Sequence, residues 1–502
     1  MRKIPAIMFS QHPDHANNPY WQDEAFIEAK NELKECFLSF SELGADEYMW
    51  DWEGKYTDES FFEKTISTYY DFFSRNPIGV NLFITLRLPN PNTKADVRLA
   101  RALTVMLTAT EFTRRLHLPI PPLFEAIVPM CENTNSLLSI QLSFNKLKQI
   151  NDRFLRIHNK KNRLELIPLF EKIPSILNSK KIIEEYIMLA NKNGNQLSYI
   201  RPLLGRSDPA LHSGIVSTTL AIKIALSDLS QVKKKHGVSI YPIISSGILP
   251  FRGGLDPKNI QSFMNEYAGI ATVIVQSAFR YDFSKNEVNK GIQLLKKLIN
   301  KTKTIKITDE DKQALKQLIF FFEKKYQEIM HLFAPIIADA ALFFPVRRER
   351  LVFTGIQSYG RKINGFNMPR SIPFTGTLYA LGFPPELAGT AGGLKKAIET
   401  KKDNILHNYY LNFKNDIRYS GRYLNRTSIK KWCTDPNLLK KIIKEINFLE
   451  SYFSMKLGPQ DSKEHKHAEL SEQFVDELKG LRRKEKLLQL NNEMGILRKT
   501  LG

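Results

Sequence analysis

Carboxylates, guanidiniums and one histidine stand in this chain at the C-terminal ends of short apolar runs, where a fold can present them to a ligand. Glu171 closes Leu164-Glu-Leu-Ile-Pro-Leu-Phe170, and Asp208 follows Tyr199-Ile-Arg-Pro-Leu-Leu through Gly205-Arg206-Ser207. Two carboxylates at consecutive strand ends need arginines or a hard divalent cation to neutralise them. Mg2+, or Mn2+ in its place, suits the pair, because Mg2+ keeps most of its waters and takes one or two protein carboxylates plus substrate oxygens. Arg87, Arg252 and Arg280 end further runs, Arg252 on a Gly253-Gly254 turn, Gln276 follows Thr272-Val-Ile-Val, and Arg361 and Arg370 lie in Gly/Pro-rich loops. Guanidiniums grouped around a metal describe a pocket for a substrate carrying phosphate and carboxylate together. His12 ends the first apolar run within Gln11-His12-Pro13-Asp14. Any one arginine is explained as well by a surface salt bridge, and a lone histidine by burial; the argument lies in their shared placement.

The elements that must position these groups are short and evenly distributed. Apolar, β-branched or aromatic runs at Ile4–Phe9, 47–54, 79–87, 123–130, 164–171, 199–205, 238–247 and 272–280 are separated almost throughout by helical patterns. About eight strands alternating with helices predict an α/β fold, a (β/α)8 TIM-like barrel, whose mouth at the strand C-termini is its concave surface. Beyond about Asp282 the pattern turns helical, so the barrel carries large, predominantly α-helical additions. Residues 1–290 are expected to hold most of the barrel and its catalytic strand ends. Residues 291–502 are expected to supply active-site loops and a tail, packed on the barrel as one catalytic unit.

Composition narrows the function classes. The 502 residues are 42% hydrophobic and 25% charged, with a formal net charge of +21. Such a charge is compatible with nucleic acid, yet many lysines lie on helical surface patterns such as Leu294-Leu-Lys-Lys-Leu-Ile-Asn-Lys, without an aromatic or arginine-rich reader pattern. Solvated helix faces, not nucleic acid, are the expectation. Cys36, Cys131 and Cys433 lack metal-ligand spacing, which fits a reducing, cytoplasmic setting. The first apolar run is too short for a signal peptide and no later run reads as a membrane span.

Six ordered motifs carry a resemblance: Ser10-Gln-His12-Pro-Asp, Met49-Trp-Asp-Trp-Glu-Gly54, Gly205-Arg-Ser-Asp208-Pro-Ala-Leu, Pro250-Phe-Arg252-Gly-Gly254, Val275-Gln-Ser-Ala-Phe-Arg280 and Pro369-Arg370-Ser-Ile-Pro-Phe. In these the chain resembles the archaeal-type phosphoenolpyruvate carboxylases from residue 4 to the last. The resemblance implies a mostly helical α/β barrel that uses Mg2+ or Mn2+ to make oxaloacetate and phosphate from phosphoenolpyruvate and bicarbonate, typically as a homotetramer. It implies Glu171 and Asp208 as metal ligands, His12 as the residue guiding carboxyl transfer, and Arg252, Arg361 and Arg370 as catalytic cations. Arg87, Gly253, Gly254, Gln276 and Arg280 would bind substrate. The Gly-rich loops and the C-terminal segment, anchored by Met494, Ile496 and Leu497, are expected as lids.

Departures from the larger bacterial and plant branch are also visible. Leu211 stands where that branch has lysine, Pro250 where it has histidine, and its second glycine-rich arginine loop is missing after Gly254, which puts feedback inhibition in doubt. Two other readings stay open: a metal-dependent lyase or aldolase of the pyruvate and phosphoenolpyruvate barrels, and a basic nucleic-acid-binding protein.

Overall fold

The computed structural model describes residues 3–55, 57–91, 97–154, 163–299, 301–349, 362–363 and 365–502. Its centre is a closed barrel of eight strands: β1 (Ile7–Ser10), β2 (Glu47–Asp51), β3 (Phe83–Arg87), β4 (Glu125–Val128), β5 (Glu165–Phe170), β6 (Leu203–Leu204), β7 (Ile243–Ser246) and β8 (Thr272–Val275). Every strand pairs in parallel with its sequence neighbours, and β8 closes on β1 through Ile7–Phe9 against Val273–Val275. Parallel strands covered on both faces read as continuous apolar runs rather than alternating ones. That is why the barrel was visible as short runs with polar ends.

Alternation still decides which side chain faces where. Met8, Met49, Ile127, Ile167, Leu169, Leu203, Ile243 and Ile274 meet inside the barrel as one apolar layer, while Ile7, Phe9, Ile244, Val273 and Val275 pack outward into the main core. Beneath that layer, at the strand N-termini, the interior is ionic. Arg201, fully buried, donates from Nη1 to Glu47 (3.0 Å) and Glu125 (2.6 Å) and from Nη2 to Glu47 (2.6 Å) and Thr272 (3.0 Å). Tyr199 adds its hydroxyl to Glu125 and Glu165. Buried charges persist where each is matched and hydrogen-bonded, and this floor closes the barrel from below.

Two expected strands are broken by proline. Pro202 separates Tyr199–Ile200 from β6, and Pro242 separates Ser239–Ile240 from β7; the outer halves pair with each other as a two-stranded sheet outside the barrel. Neither proline can donate to a ladder, although the Pro202 carbonyl accepts from Ile243 N–H. One helix-rich stretch, Ser207–His236, is long and apolar enough to span a membrane by length and composition, a feature the sequence reading passed over; 94% of its apolar window is buried inside the protein. It lies against Asp309–Ala340; the later helix Ser371–Ala380 packs on both, and Ser462–Lys479 and Lys484–Arg498 pack on Ser371–Ala380 and on each other.

Candidate active site

Two adjoining cavities lie at the C-terminal ends of the strands. The inner one, about 50 Å3, is lined by His12, Arg87, Glu171, Gly205, Arg206, Ser207, Asp208, Arg252, Gln276 and Ser371, with Met49, Leu169, Leu203 and Ile274 of the apolar layer as its base. The outer one, about 330 Å3, shares His12, Arg87, Asp208 and Ser371 and adds Arg347, Arg370 and an apolar wall of Leu342, Phe344, Val346 and Ile372. The sequence therefore brings His12, Glu171, Asp208, Arg87, Arg252, Gln276 and Arg370 to one place. Arg361 lies outside the described residues.

Local structure explains each placement. Glu171 follows β5 directly, and its Oε2 accepts the Met130 N–H at 2.9 Å, so the carboxylate is held at the mouth. Asp208 occupies the first turn of the helix that begins at Ser207. The helical dihedrals break at Gly214 (φ 77°), and the carbonyl of Leu211 is met instead by the Tyr326 hydroxyl at 2.9 Å. That break lets the Asp208 turn lean over the mouth while the rest of the helix follows the core. Pro250–Arg252 form a 3-10 turn closed by Gly247 N–H to Arg252 O (2.9 Å). Gly253 and Gly254, both at positive φ, turn the chain back against Ser246 and are not among the residues that line the two cavities.

Arg252 is the most constrained cation in the site. It is 1% exposed; Nε donates to Ser207 (3.1 Å), Nη1 to the main-chain oxygen of Gly502 (2.8 Å) and Nη2 to Gln276 Oε1 (2.5 Å), with Asp14 at 3.7 Å. Gln276 is fixed in turn by Nε2 donating to Ser245 (3.1 Å). Burial draws the Arg252 pKa down and the nearby Asp14 and Asp208 oppose it. Burial also pushes Asp14 upward, countered chiefly by Arg252. His12 places Nδ1 2.7 Å from Ser10 Oγ, and its backbone carbonyl accepts from Ser277. Arg87 reaches both cavities with its fork set on Asp51 at 2.8 and 2.7 Å, a bidentate pair that orients the guanidinium.

Two expectations change. Arg280 does not reach the cavities: β8 ends at Val275 and Ser277–Tyr281 is a helical turn, which rotates Arg280 away from the mouth. It is buried between Phe9 and Tyr281, donates to the Ser10 carbonyl (2.6 Å) and pairs with Glu35 (3.2 Å). The C-terminal segment is an internal part rather than a flap. Thr500, Leu501 and Gly502 are all buried, Leu501 N–H donates to the Asp14 carbonyl (2.7 Å), and Leu501 packs with Ala16, Phe344 and Ile372. Ile496, expected as an anchor, is 42% exposed.

Sequence reasoning missed Asp14, Asp51, Arg347 and Ser371. Asp14, Asp51 and Ser371 sit inside the quoted motifs, next to residues that were chosen. Arg347, which donates to the carbonyls of His15 and Ala16, follows Pro345-Val346 with no local signal.

Glu171 and Asp208 fit a divalent cation: both line the same small cavity. Among the described residues no three His, Cys, Asp or Glu gather as a cage, so other ligands to such a cation would be substrate or water oxygens.

A family model described as phosphoenolpyruvate carboxylase matches residues 4–502. A phosphoenolpyruvate carboxylase of Leuconostoc mesenteroides is 35% identical over all of this chain and 99% of its own length. That of Metallosphaera sedula is 34% identical over the whole of both chains, and that of Pyrococcus horikoshii 33% identical over 84% of this chain and 89% of its own. With the motifs of the resemblance gathered at one barrel mouth, these matches establish that the chain belongs to the phosphoenolpyruvate carboxylase family.

Proposed function

We propose that the paired cavities bind phosphoenolpyruvate and bicarbonate and convert them to oxaloacetate and phosphate, with Glu171 and Asp208 holding Mg2+ or Mn2+. The observation that carries this reading is the meeting, in one 50 Å3 cavity, of two carboxylates, His12 and three buried arginines. The carboxylates suit a hard cation and the guanidiniums suit the phosphate and carboxylate of one small substrate. When bound, such a cation supplies Lewis-acid stabilisation of negative charge on oxygen.

Arg252, buried and held on three sides, is pre-set to hold the phosphoryl group while bicarbonate attacks phosphorus, and it needs no reorganisation as charge shifts. Arg370, on the wall of the outer cavity, serves the same anion from above, and Arg361 stays in the proposal as a third cation. Carboxyphosphate releases CO2, and His12 takes the proton that bicarbonate leaves behind or holds the fragments while the enolate carbon of pyruvate adds to CO2. The apolar wall of Leu342, Phe344, Val346 and Ile372 keeps water from protonating that carbon. Arg87 orients the substrate carboxylate from its Asp51 support, and Gln276 sets Arg252. The two halves of the chain work as one catalytic unit, since Gly502 accepts from Arg252 across 250 positions. A cytoplasmic homotetramer completes the proposal.

The test is bicarbonate-dependent oxaloacetate formation, coupled to malate dehydrogenase, with and without Mg2+. Turnover without bicarbonate, giving pyruvate or an aldol product, would replace carboxylation with the lyase reading.

A further inference from the structure

We infer that His467 is a positioning residue for the anion site, acting through Arg498 and the 501–502 backbone, and that its being histidine rather than a carboxylate keeps a positive charge uncancelled behind Arg252. This rests on the reading that Arg252 holds the phosphoryl group.

Arg498 is 1% exposed at the end of Lys484–Arg498, and His467 is 0% exposed on Ser462–Lys479. Arg498 Nη1 lies 2.6 Å from His467 Nε2, and Nη2 donates to the Leu501 carbonyl at 2.9 Å. A guanidinium has only N–H donors, so Nε2 must be the acceptor. His467 is therefore neutral with its proton on Nδ1, a state that burial and the guanidinium both favour by drawing its pKa well down. Among the described residues Arg498 Nε has no hydrogen-bond partner, and its charge faces the ring of Tyr379 at 5.4 Å.

Of the other buried arginines, Arg206 is held by hydroxyls and main-chain carbonyls, while Arg201, Arg348 and Arg87 are matched to carboxylates: Glu47 and Glu125, Glu32 and Glu35, and Asp51. Arg498 is matched instead to an imidazole, a carbonyl and an aromatic face, all neutral. Leu501 O, which it holds, immediately precedes Gly502, whose main-chain oxygen receives Arg252 Nη1 at 2.8 Å. His467 thus supplies the geometry of an acceptor without cancelling the charge, and two guanidiniums back the same anion.

The experiment compares H467E and H467Q, with R252Q as the control for the site itself, in the full chain. A glutamate at 467 would give Arg498 a stronger partner and remove the net charge. H467E is expected to keep the wild-type melting temperature or exceed it while KM for phosphoenolpyruvate and Ki for inorganic phosphate rise about tenfold, the scale of one unit charge at short range in protein. H467Q keeps an acceptor and should stay within about twofold of wild type in both constants. A folded H467E with wild-type KM and Ki overturns the inference. If H467E does not fold, R498M carries the same test: the charge is gone, the same rise is expected, and wild-type constants overturn it. Wild-type turnover in R252Q would refute the site reading and this inference with it; loss in R252Q beside wild-type H467E refutes the inference alone.

Discussion

Gly502→Ala should cut turnover with little effect on stability. A Cβ built on Gly502 would lie 2.1 Å from the Ile372 carbonyl oxygen and 2.8 Å from the Gly376 nitrogen, where ordinary contacts begin at roughly 3.4 Å. The residue must retreat by about 1 Å, which stretches the 2.8 Å bond from Arg252 beyond hydrogen-bonding range. A hydrogen bond to a charged group contributes about 1.5–3 kcal/mol. If Arg252 then loses its alignment for the phosphoryl group, turnover falls about ten- to a hundredfold. Leu501, fully buried among Ala16, Phe344 and Ile372, stays in place, so the melting temperature should hold. Leu501→Ala is the contrast: truncating that side chain costs about 2–5 kcal/mol and should lower melting temperature and activity together. Steady-state kinetics and differential scanning calorimetry on both variants give the answer. A Gly502→Ala enzyme with wild-type kcat would refute the alignment of Arg252 by this oxygen.

Asp208→Asn or Glu171→Gln should abolish turnover at ordinary Mg2+ while circular dichroism and melting temperature stay unchanged; full activity in either would end the metal assignment. His12→Asn should still release phosphate in a bicarbonate-dependent way but lose the enolate as pyruvate, so phosphate, pyruvate and oxaloacetate are measured separately, and wild-type product ratios would return His12 to a structural role. Arg280→Met should lower the melting temperature, because Glu35 loses one of its two buried arginines, and leave KM for phosphoenolpyruvate unchanged; a raised KM would bring Arg280 back to the substrate. Glu386, whose Oε1 accepts from Phe251 N–H and Tyr379 behind the Arg252 turn, is pushed by burial to a pKa of about 7. Because the folded state holds that proton more tightly than the unfolded chain, stability should fall as pH rises from about 4.5 to about 7 and level off above. Melting temperatures from pH 5 to 8 should show a shallower fall in Glu386→Gln, and an identical slope would refute the assignment.

The barrel was legible because its signals are local. Parallel strands buried on both faces leave short apolar runs, and the groups at their ends face the mouth by the geometry of the fold, which is how Glu171, Asp208, His12 and Arg252 could be chosen together. What escaped depended on distant partners or on small shifts of phase. Arg280 looked like a strand-end cation, but one helical turn after Val275 is enough to swing it to Glu35, some 245 positions away in the chain. The tail was read by hydropathy at Ile496, whereas its hold comes from Leu501 and from backbone bonds to Asp14, which no run of residue types announces. Pro202 and Pro242 were visible, but that the segments before them pair with each other depends on the barrel bringing them side by side.

The ionic floor around Arg201 makes the barrel a blind-ended well. With the charged layer beneath and the apolar layer above it, nothing can pass along the barrel axis, so substrates and products share a single doorway at the mouth. Traffic through one door is sequential: oxaloacetate and phosphate must clear the opening before the next phosphoenolpyruvate settles. Products held near the doorway therefore exclude fresh substrate, and inhibition by either should weaken as phosphoenolpyruvate rises. The same dead end spares the enzyme a second seal at the foot of the barrel, because the described residues close that side to water.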